Sequence, residues 1–285
     1  MEFYAKPNKC PICNSKKGFR LGWDSETITC LGCDGLIFIN KSNYKSNDYF
    51  EDIYQNYLDE KDAHVKDAEK HFKLVMSSIS KAHNKPSTII EFGSAFGFFL
   101  NCFKKRVSVC DVIGVEPDYK AYCYSKETLN LNVHNIKIED VVNNYPEMIA
   151  KSDMIFAWAV LEHLPSIYPL LSNLYDKMKP GSYFFFTTVD ASSINAKMRK
   201  RKWRLYAPPE HILYPTKKGL SSTLKSLGFS IVEKRYIGNV RAFSKYLTIF
   251  GSTFQRSLCN KFPILYRIYL PVNLYDIIFF GVKKC

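Results

Sequence analysis

The 285-residue chain has no run of 18 or more uncharged apolar residues, which excludes a membrane-spanning helix of ordinary length. Met1 to Cys13 lacks the apolar stretch of a secretory signal. The expected location is therefore the cytoplasm, where the nine cysteines stay reduced. There is no internal repeat and no low-complexity tract. Disorder is excluded, because 15% of residues are aromatic and 46% apolar. The length fits one large domain or two modest ones, enough to bury a sizeable core.

Acids are scarce in the last third. Residues 197–285 carry 18 Lys and Arg against Glu210, Glu233 and Asp276 alone. Residues 1–196 carry 22 against 24, so the net charge of +13 belongs wholly to the C-terminal part. A one-sided excess points to an anionic partner or to a solvated basic face.

What is present begins with cysteine. Cys10-Pro-Ile-Cys13 and Cys30-Leu-Gly-Cys33 are separated by sixteen residues. Two CxxC turns at this distance aim four thiolates at one centre, which suits tetrahedral Zn²⁺. Four thiolates leave no open coordination position, so the predicted zinc is structural. Residues 1–40 then form a zinc ribbon, and 41–85 a helical linker or lid with apolar spacing at Phe72, Val75, Met76 and Ile79.

From Ser87 the pattern alternates. Strands are expected at Thr88–Phe92, Val112–Glu116, Val133–Ile138, Met154–Ala159, Tyr183–Val189, Phe229–Lys234 and Asp276–Val282. Helices are expected between them, at Phe98–Arg106 and Ile167–Met178 among others. This alternation predicts a doubly wound α/β sheet over 86–285. A basic lid spans 191–216, and an insertion at 236–274 is too long to be a plain loop.

Glu91-Phe92-Gly93-Ser94-Ala95-Phe96-Gly97 ends the first of these strands and opens a helix, where open α/β sheets bind ligands. A nicotinamide fingerprint needs glycine at 93, 95 and 98, but the chain has Ala95 and Phe98. Glu116 ends the second strand 25 residues after Glu91, where a carboxylate can accept from a ribose diol. Glu139-Asp140 follows the third strand and Val160-Leu161-Glu162-His163-Leu164 the fourth, with Lys179-Pro180-Gly181 beyond.

With these pieces in this order, residues 87–235 resemble class I S-adenosylmethionine-dependent methyltransferases. Ala95 departs from the family's usual central glycine. The resemblance implies a Rossmann-like, seven-stranded sheet with its last strand antiparallel. It also implies S-adenosylmethionine contacts at Glu91, Gly93, Ala95, Gly97, Glu116, Glu139, Asp140 and Ala157.

The run Trp203 to Thr216 resembles a subgroup that methylates sugars and other small acceptors, some of whose members carry an N-terminal zinc ribbon. A sugar hydroxyl must lose its proton, and histidine suits that task near neutral pH. His211, oriented by Glu210, and His163 are the candidate bases. The basic stretch 197–204 can grip a pyrophosphate or RNA phosphates.

The expected activity is O-methyl transfer to a sugar-containing, phosphate-bearing acceptor in surface glycan assembly. Two alternatives stand beside it: an RNA methyltransferase that uses the ribbon as a clamp, and an inactive binding module. Two motifs of nucleic-acid base methylases are missing. No Asn/Asp-Pro-Pro-aromatic sequence follows the fourth strand, and no Pro-Cys nucleophile exists. Tyr246 to Leu270 mixes apolar and basic residues, as would a surface lying on anionic lipid at the inner membrane face or a cap packed on the sheet.

Overall fold

The computed structural model describes residues 7–39, 57–79, 86–246 and 252–285; the side chains of 245, 246, 252–256 and 266 are not described. The expectations for 41–56 and 80–85, and for Leu247, Ile249 and Phe250 of the amphipathic stretch, lie outside the described residues.

The large sheet has seven strands. They are β4 (Thr88–Phe92), β5 (Asp111–Val115), β6 (Asn132–His134), β7 (Met154–Trp158), β8 (Tyr183–Val189), β10 (Phe229–Ala242) and β11 (Tyr269–Lys284), in the order β10-β11-β8-β7-β4-β5-β6. β8, β7, β4, β5 and β6 run parallel, and β11 is antiparallel to both its neighbours. The chain winds outward from β4 through β5 to β6, then returns to β7 on β4's other side. This reversal places the topological switch point, where such sheets bind ligands, between β4 and β7.

The strands read as apolar runs because helices cover both faces. Phe92, Phe156, Phe184, Phe185, Phe186, Phe279 and Phe280 are fully buried. Each such side chain contributes about 1.5–3 kcal/mol of transfer free energy. The helix Lys61–Ser78 buries Ala63, Ala68, His71 and Val75, and packs with helix Phe98–Arg106.

Three boundaries differ from the sequence reading. The third strand stops at His134, and Ile138 instead opens the helix Ile138–Asn144. β10 and β11 run far past their expected ends. They pair out to Ala242↔Tyr269, so both ends of the 236–274 insertion extend the hairpin. Helices Phe243–Tyr246 and Ser252–Lys261 lie at its end. No described helix is long and apolar enough to cross a membrane.

The second sheet, of four strands, joins two distant parts of the chain. β1 (Phe19–Leu21), β2 (Thr27–Cys30) and β3 (Leu36–Phe38) form the cysteine-bearing meander. β9 (Leu213–Tyr214), from the basic lid, pairs with β3 through Leu36↔Tyr214 and Ile37↔Leu213. Around this seam Thr216 Oγ1 donates to the Cys33 carbonyl at 2.6 Å and caps the helix Lys217–Ser226 by accepting from Gly219 N. A Cβ at Gly219 would lie 2.4 Å from the Cys33 carbonyl oxygen, so only glycine admits this approach. On the other side Pro11 O accepts from Ile167 N, Tyr168 N and Ser166 Oγ.

Candidate active site

The cysteine cluster is compact. Cys10 Sγ and Cys33 Sγ are 3.8 Å apart, as are Cys13 Sγ and Cys30 Sγ. A tetrahedron of four sulfurs about 2.3 Å from zinc has edges of roughly 3.8 Å. Ile12 N donates to Cys10 Sγ and Gly32 N to Cys30 Sγ, the turn geometry that aims both sulfurs of each pair inward. Hydrogen bonds to Cys10 and Cys13, then burial, push the Cys33 thiol far up. Four thiolates this close repel one another and are stabilised together by a central cation, and these residues fit zinc.

At the switch point the Gly93–Gly97 loop leaves β4. Gly93, Ala95 and Gly97 all have positive φ, at 64°, 45° and 70°. A Cβ at Gly93 would come 2.7 Å from Val160 Cγ2, on the loop that leaves β7. Ala95 holds the left-handed conformation without glycine's freedom. Two hydrogen bonds hold it there: Ala95 N donates to Glu116 Oε2 at 2.7 Å, and Ala95 O accepts from Ser125 Oγ at 3.0 Å.

Glu116 is 4% exposed, and its other oxygen accepts from Asp118 N. Burial raises its carboxyl to about 7, against the lowering effect of those backbone donors. Two backbone bonds leave free lone pairs on the carboxylate, enough for a diol. Glu91 is buried too. Burial, then the charge of Glu116, hold its carboxyl well above the usual range. Glu91 Oε2 and Ser94 Oγ are buried without a hydrogen-bond partner. Orphaned polar atoms beside a left-handed loop fit a polar ligand at this point.

Ala157 is buried in β7, between Phe92 of β4 and Phe186 of β8. Glu139 and Asp140 are exposed, in the first turn of Ile138–Asn144. The sequence reading missed Tyr57, which stacks near Phe96 and Phe98; burial, then the charge of Glu91, raise its phenol.

Past β7, the lid brings three functional groups together. One donor atom from each of Glu162, His163 and His211 lies within 4.8 Å of the other two. The two imidazoles meet edge to face, with centroids 4.7 Å apart. His163 Nδ1 lies 2.9 Å from Glu210 O, and His211 Nδ1 lies 2.7 Å from Leu205 O. A carbonyl oxygen only accepts, so each Nδ1 carries a proton, and a ring in its neutral form has its lone pair on Nε2. Burial lowers the pKa of His211, favouring that neutral form.

Glu162 is 2% exposed and accepts from Thr188 Oγ1, while its backbone oxygen accepts from Ile212 N. The structure thus assigns the orientation of His211 to the Leu205 carbonyl. Glu210 contributes its own carbonyl, to His163. Glu162 stood in the sequence motif but not among the candidate bases; its convergence with His211 depends on a fold that the motif does not encode.

The lid is also anchored by charge. Asp276, buried on β11, accepts from Trp203 Nε1, Asn195 Nδ2 and Arg204. Arg201 pairs with Asp24 of the ribbon. These two arginines of the 197–204 run therefore hold the lid in place instead of standing free to grip phosphate.

A family model described as a methyltransferase domain matches residues 64–234. The chain belongs to that family, and its fold is that of an S-adenosylmethionine-dependent methyltransferase. Among curated proteins none matches the sequence.

Solved structures match the fold. A Thermotoga maritima S-adenosylmethionine-dependent methyltransferase, described as a possible histamine N-methyltransferase, is 15% identical; the match covers 83% of this chain and 97% of that one, at a TM-score of 0.51. The plantazolicin methyltransferase BamL, solved with a triazolic desmethylPZN analogue and S-adenosylhomocysteine, is 12% identical over 84% and 91%, at 0.57. A Haloferax volcanii complex of the Trm112 activator with a putative methyltransferase gives 10% over 81% and 97%, at 0.55.

Proposed function

We propose that the protein transfers a methyl group to a hydroxyl of a sugar or sugar-containing acceptor, in glycan assembly. The observation that carries this reading is the pair of imidazoles whose Nδ1 protons are fixed by backbone carbonyls beside the Glu162 carboxylate. An amine acceptor can attack through a free lone pair, whereas a hydroxyl needs a base. The sugar class rests on the resemblance of the lid sequence.

S-adenosylmethionine supplies an electrophilic methyl on a sulfonium when bound. In this reading Glu116 receives the ribose hydroxyls, and Glu91, Gly93, Ala95 and Gly97 form the cradle, with Ala157, Glu139 and Asp140 around it. His211 takes the acceptor's proton on Nε2, and the Leu205 carbonyl keeps the ring in the productive tautomer. Glu162 stabilises the imidazolium as it forms, and His163 closes the other side of the acceptor's hydroxyl. Positioning contributes most of the rate, up to roughly 7–11 kcal/mol. The base adds about 10²–10⁴-fold. The Cys10, Cys13, Cys30 and Cys33 site holds structural zinc, and the ribbon braces the lid.

An RNA-clamp role for the ribbon is less well supported, because its edge strand and Asp24 are already engaged by the lid.

The test is to incubate the protein with methyl-labelled S-adenosylmethionine and a panel of nucleotide sugars, free sugars, amines and RNA. The expected result is an O-methylated sugar, with label lost in His211→Ala. Label entering only amines or RNA overturns the acceptor class. A strict need for an added divalent cation would show that Glu162, His163 and His211 bind metal instead of moving a proton.

A further inference from the structure

Helix Lys217–Ser226 begins six residues after His211 and packs on β10. Lys217, Lys218, Ser221, Ser222 and Lys225 fall on one of its faces by the i, i+4 rule. With Lys234 of β10 and Ser192 they line an open groove of about 510 Å³. No acid lines it, and none of the four lysines forms an ion pair among the described residues. Several cations elsewhere are matched: Lys70 with Asp67, Arg106 with Glu69, Lys179 with Asp153, Arg204 with Asp276 and Arg235 with Glu233.

The nearby carboxylate makes no ion pair with the groove's lysines. Asp190 accepts from Ser192 N and Oγ, from Lys217 N and from Tyr236 OH, but from no ammonium. Lys217 Nζ instead sits 4.3 Å over the Tyr236 ring, and Lys234 Nζ donates to Ser221 Oγ at 3.3 Å. Tyrosine and serine hold two of the ammoniums in place without cancelling their charge. Lys217 and Lys218 stand at the positive end of this ten-residue helix, Lys225 in its last turn and Lys234 on β10; four cations without an ion pair in one concavity repel one another until an anion joins them.

The groove and the candidate active site draw on the same strand exit. Thr188, which holds Glu162, lies two residues before Asp190 on the same strand exit, and Ser192 follows two residues later.

We propose that this groove is a subsite for a phosphate or pyrophosphate group. Several ammonium point charges, each with three donors, suit a multiply charged tetrahedral anion better than a single carboxylate. That the group belongs to the methyl acceptor, linked through a nucleotide or a lipid, rests on the function proposed above; the anion site itself does not.

The experiment uses the full-length, zinc-loaded protein. Inorganic pyrophosphate is titrated calorimetrically at about 0.15 M salt, where weak surface attraction is screened, and S-adenosylhomocysteine is titrated into the same preparation. Saturable pyrophosphate binding is expected. Lys218→Glu combined with Lys225→Glu should weaken it by about tenfold or more, since two attractive charges become repulsive, and leave S-adenosylhomocysteine affinity unchanged. Displacement by uridine diphosphate assigns a nucleotide-linked source, and displacement by farnesyl diphosphate alone a lipid-linked one.

The proposal is overturned by an absence of saturable binding, or by equal affinity in the double variant. It is also overturned if pyrophosphate fails while a short single-stranded RNA binds and is released by the same substitutions. A protein that binds pyrophosphate but not S-adenosylhomocysteine keeps the subsite and sinks the methyl-transfer reading, so the two failures are distinguishable.

Discussion

His211 Nδ1 lies 2.7 Å from the carbonyl oxygen of Leu205, six residues back along the lid. That one bond fixes which nitrogen of the ring can take a proton. Replacing His211 with Ala should lower turnover by about 10²–10⁴-fold and leave S-adenosylhomocysteine affinity intact. If turnover survives there and is lost in His163→Ala, the roles are exchanged. Because burial lowers the His211 pKa, the acid limb of the rate profile should lie below the ordinary histidine value of 6.5.

Glu116 gives a second pH signature. Its carboxyl, raised to about 7, is partly protonated near neutrality in the ligand-free protein. Ribose hydroxyls donate best to the ionised form, so S-adenosylhomocysteine affinity should fall below pH 7, approaching about tenfold per unit. The sign for folding is the opposite. The native state holds this proton more tightly than the unfolded chain, so this group's contribution to stability drops as pH rises toward 7. Glu116→Gln should remove both slopes and weaken binding, measured by calorimetry across pH. Unchanged affinity in that variant removes Glu116 from the cofactor site.

Ala95 sits at φ 45°. The left-handed conformation costs a non-glycine residue about 1–2 kcal/mol, partly offset by the roughly 0.5–1 kcal/mol that glycine's freedom costs on folding. Ala95→Gly should therefore raise the melting temperature slightly and keep cofactor affinity. Ala95→Val should lower both, because a branched side chain resists this conformation. Thermal melts with and without S-adenosylhomocysteine check the pair.

Zinc removal should act at a distance. Trp23 of the ribbon packs on Trp203 and Tyr206 of the lid, and Tyr206 OH donates to Asp24 at 2.7 Å. Chelation, or Cys30→Ser, should release zinc, change tryptophan fluorescence and abolish turnover, while S-adenosylhomocysteine still binds. If cofactor affinity collapses together with the fluorescence change, the ribbon supports the whole domain and not the lid alone.

The hairpin end exposes apolar side chains beside bases. Phe262 is 48% exposed and Ile264 60%, next in the chain to Lys261 and close to Arg267. Co-sedimentation with anionic vesicles at low salt is expected, and should weaken in Phe262→Ser with Ile264→Ser. Equal recovery with neutral vesicles would remove the electrostatic part of this interaction.

Much of this was legible in the chain because local chemistry dictated it. The Thr88–Phe92 strand, the turn at Gly93 and the helix at Phe98–Arg106 fall where apolar runs and small residues demand them. The cysteine spacing anticipated a cluster whose sulfurs meet at 3.8 Å. Contacts between remote segments were not legible. Nothing local to Leu213-Tyr214 marks it as the fourth strand of the ribbon, since two residues carry no periodicity and the pairing is set by β3. Likewise Arg204 reads as one more lysine-rich-lid cation until Asp276, on the final strand, takes it. The length of the hairpin was not legible, because a glycine at 238 and a proline at 271 interrupt the residue pattern of a strand, yet Pro271 pairs with Val240.

The seam between β3 and β9 also orders events during synthesis. Thr216 and Cys33 are 183 residues apart. At roughly 5–20 residues per second, the ribbon leaves the ribosome on the order of ten to forty seconds before its fourth strand exists. Throughout that interval β3 is a short open edge, the kind of surface that recruits wrong partners. Closing the edge and placing His211 are one late step, because the single lid stretch from Leu205 to Tyr214 accomplishes both. Chains truncated before β9 should therefore be handled by the cell as sticky intermediates and not as stable halves.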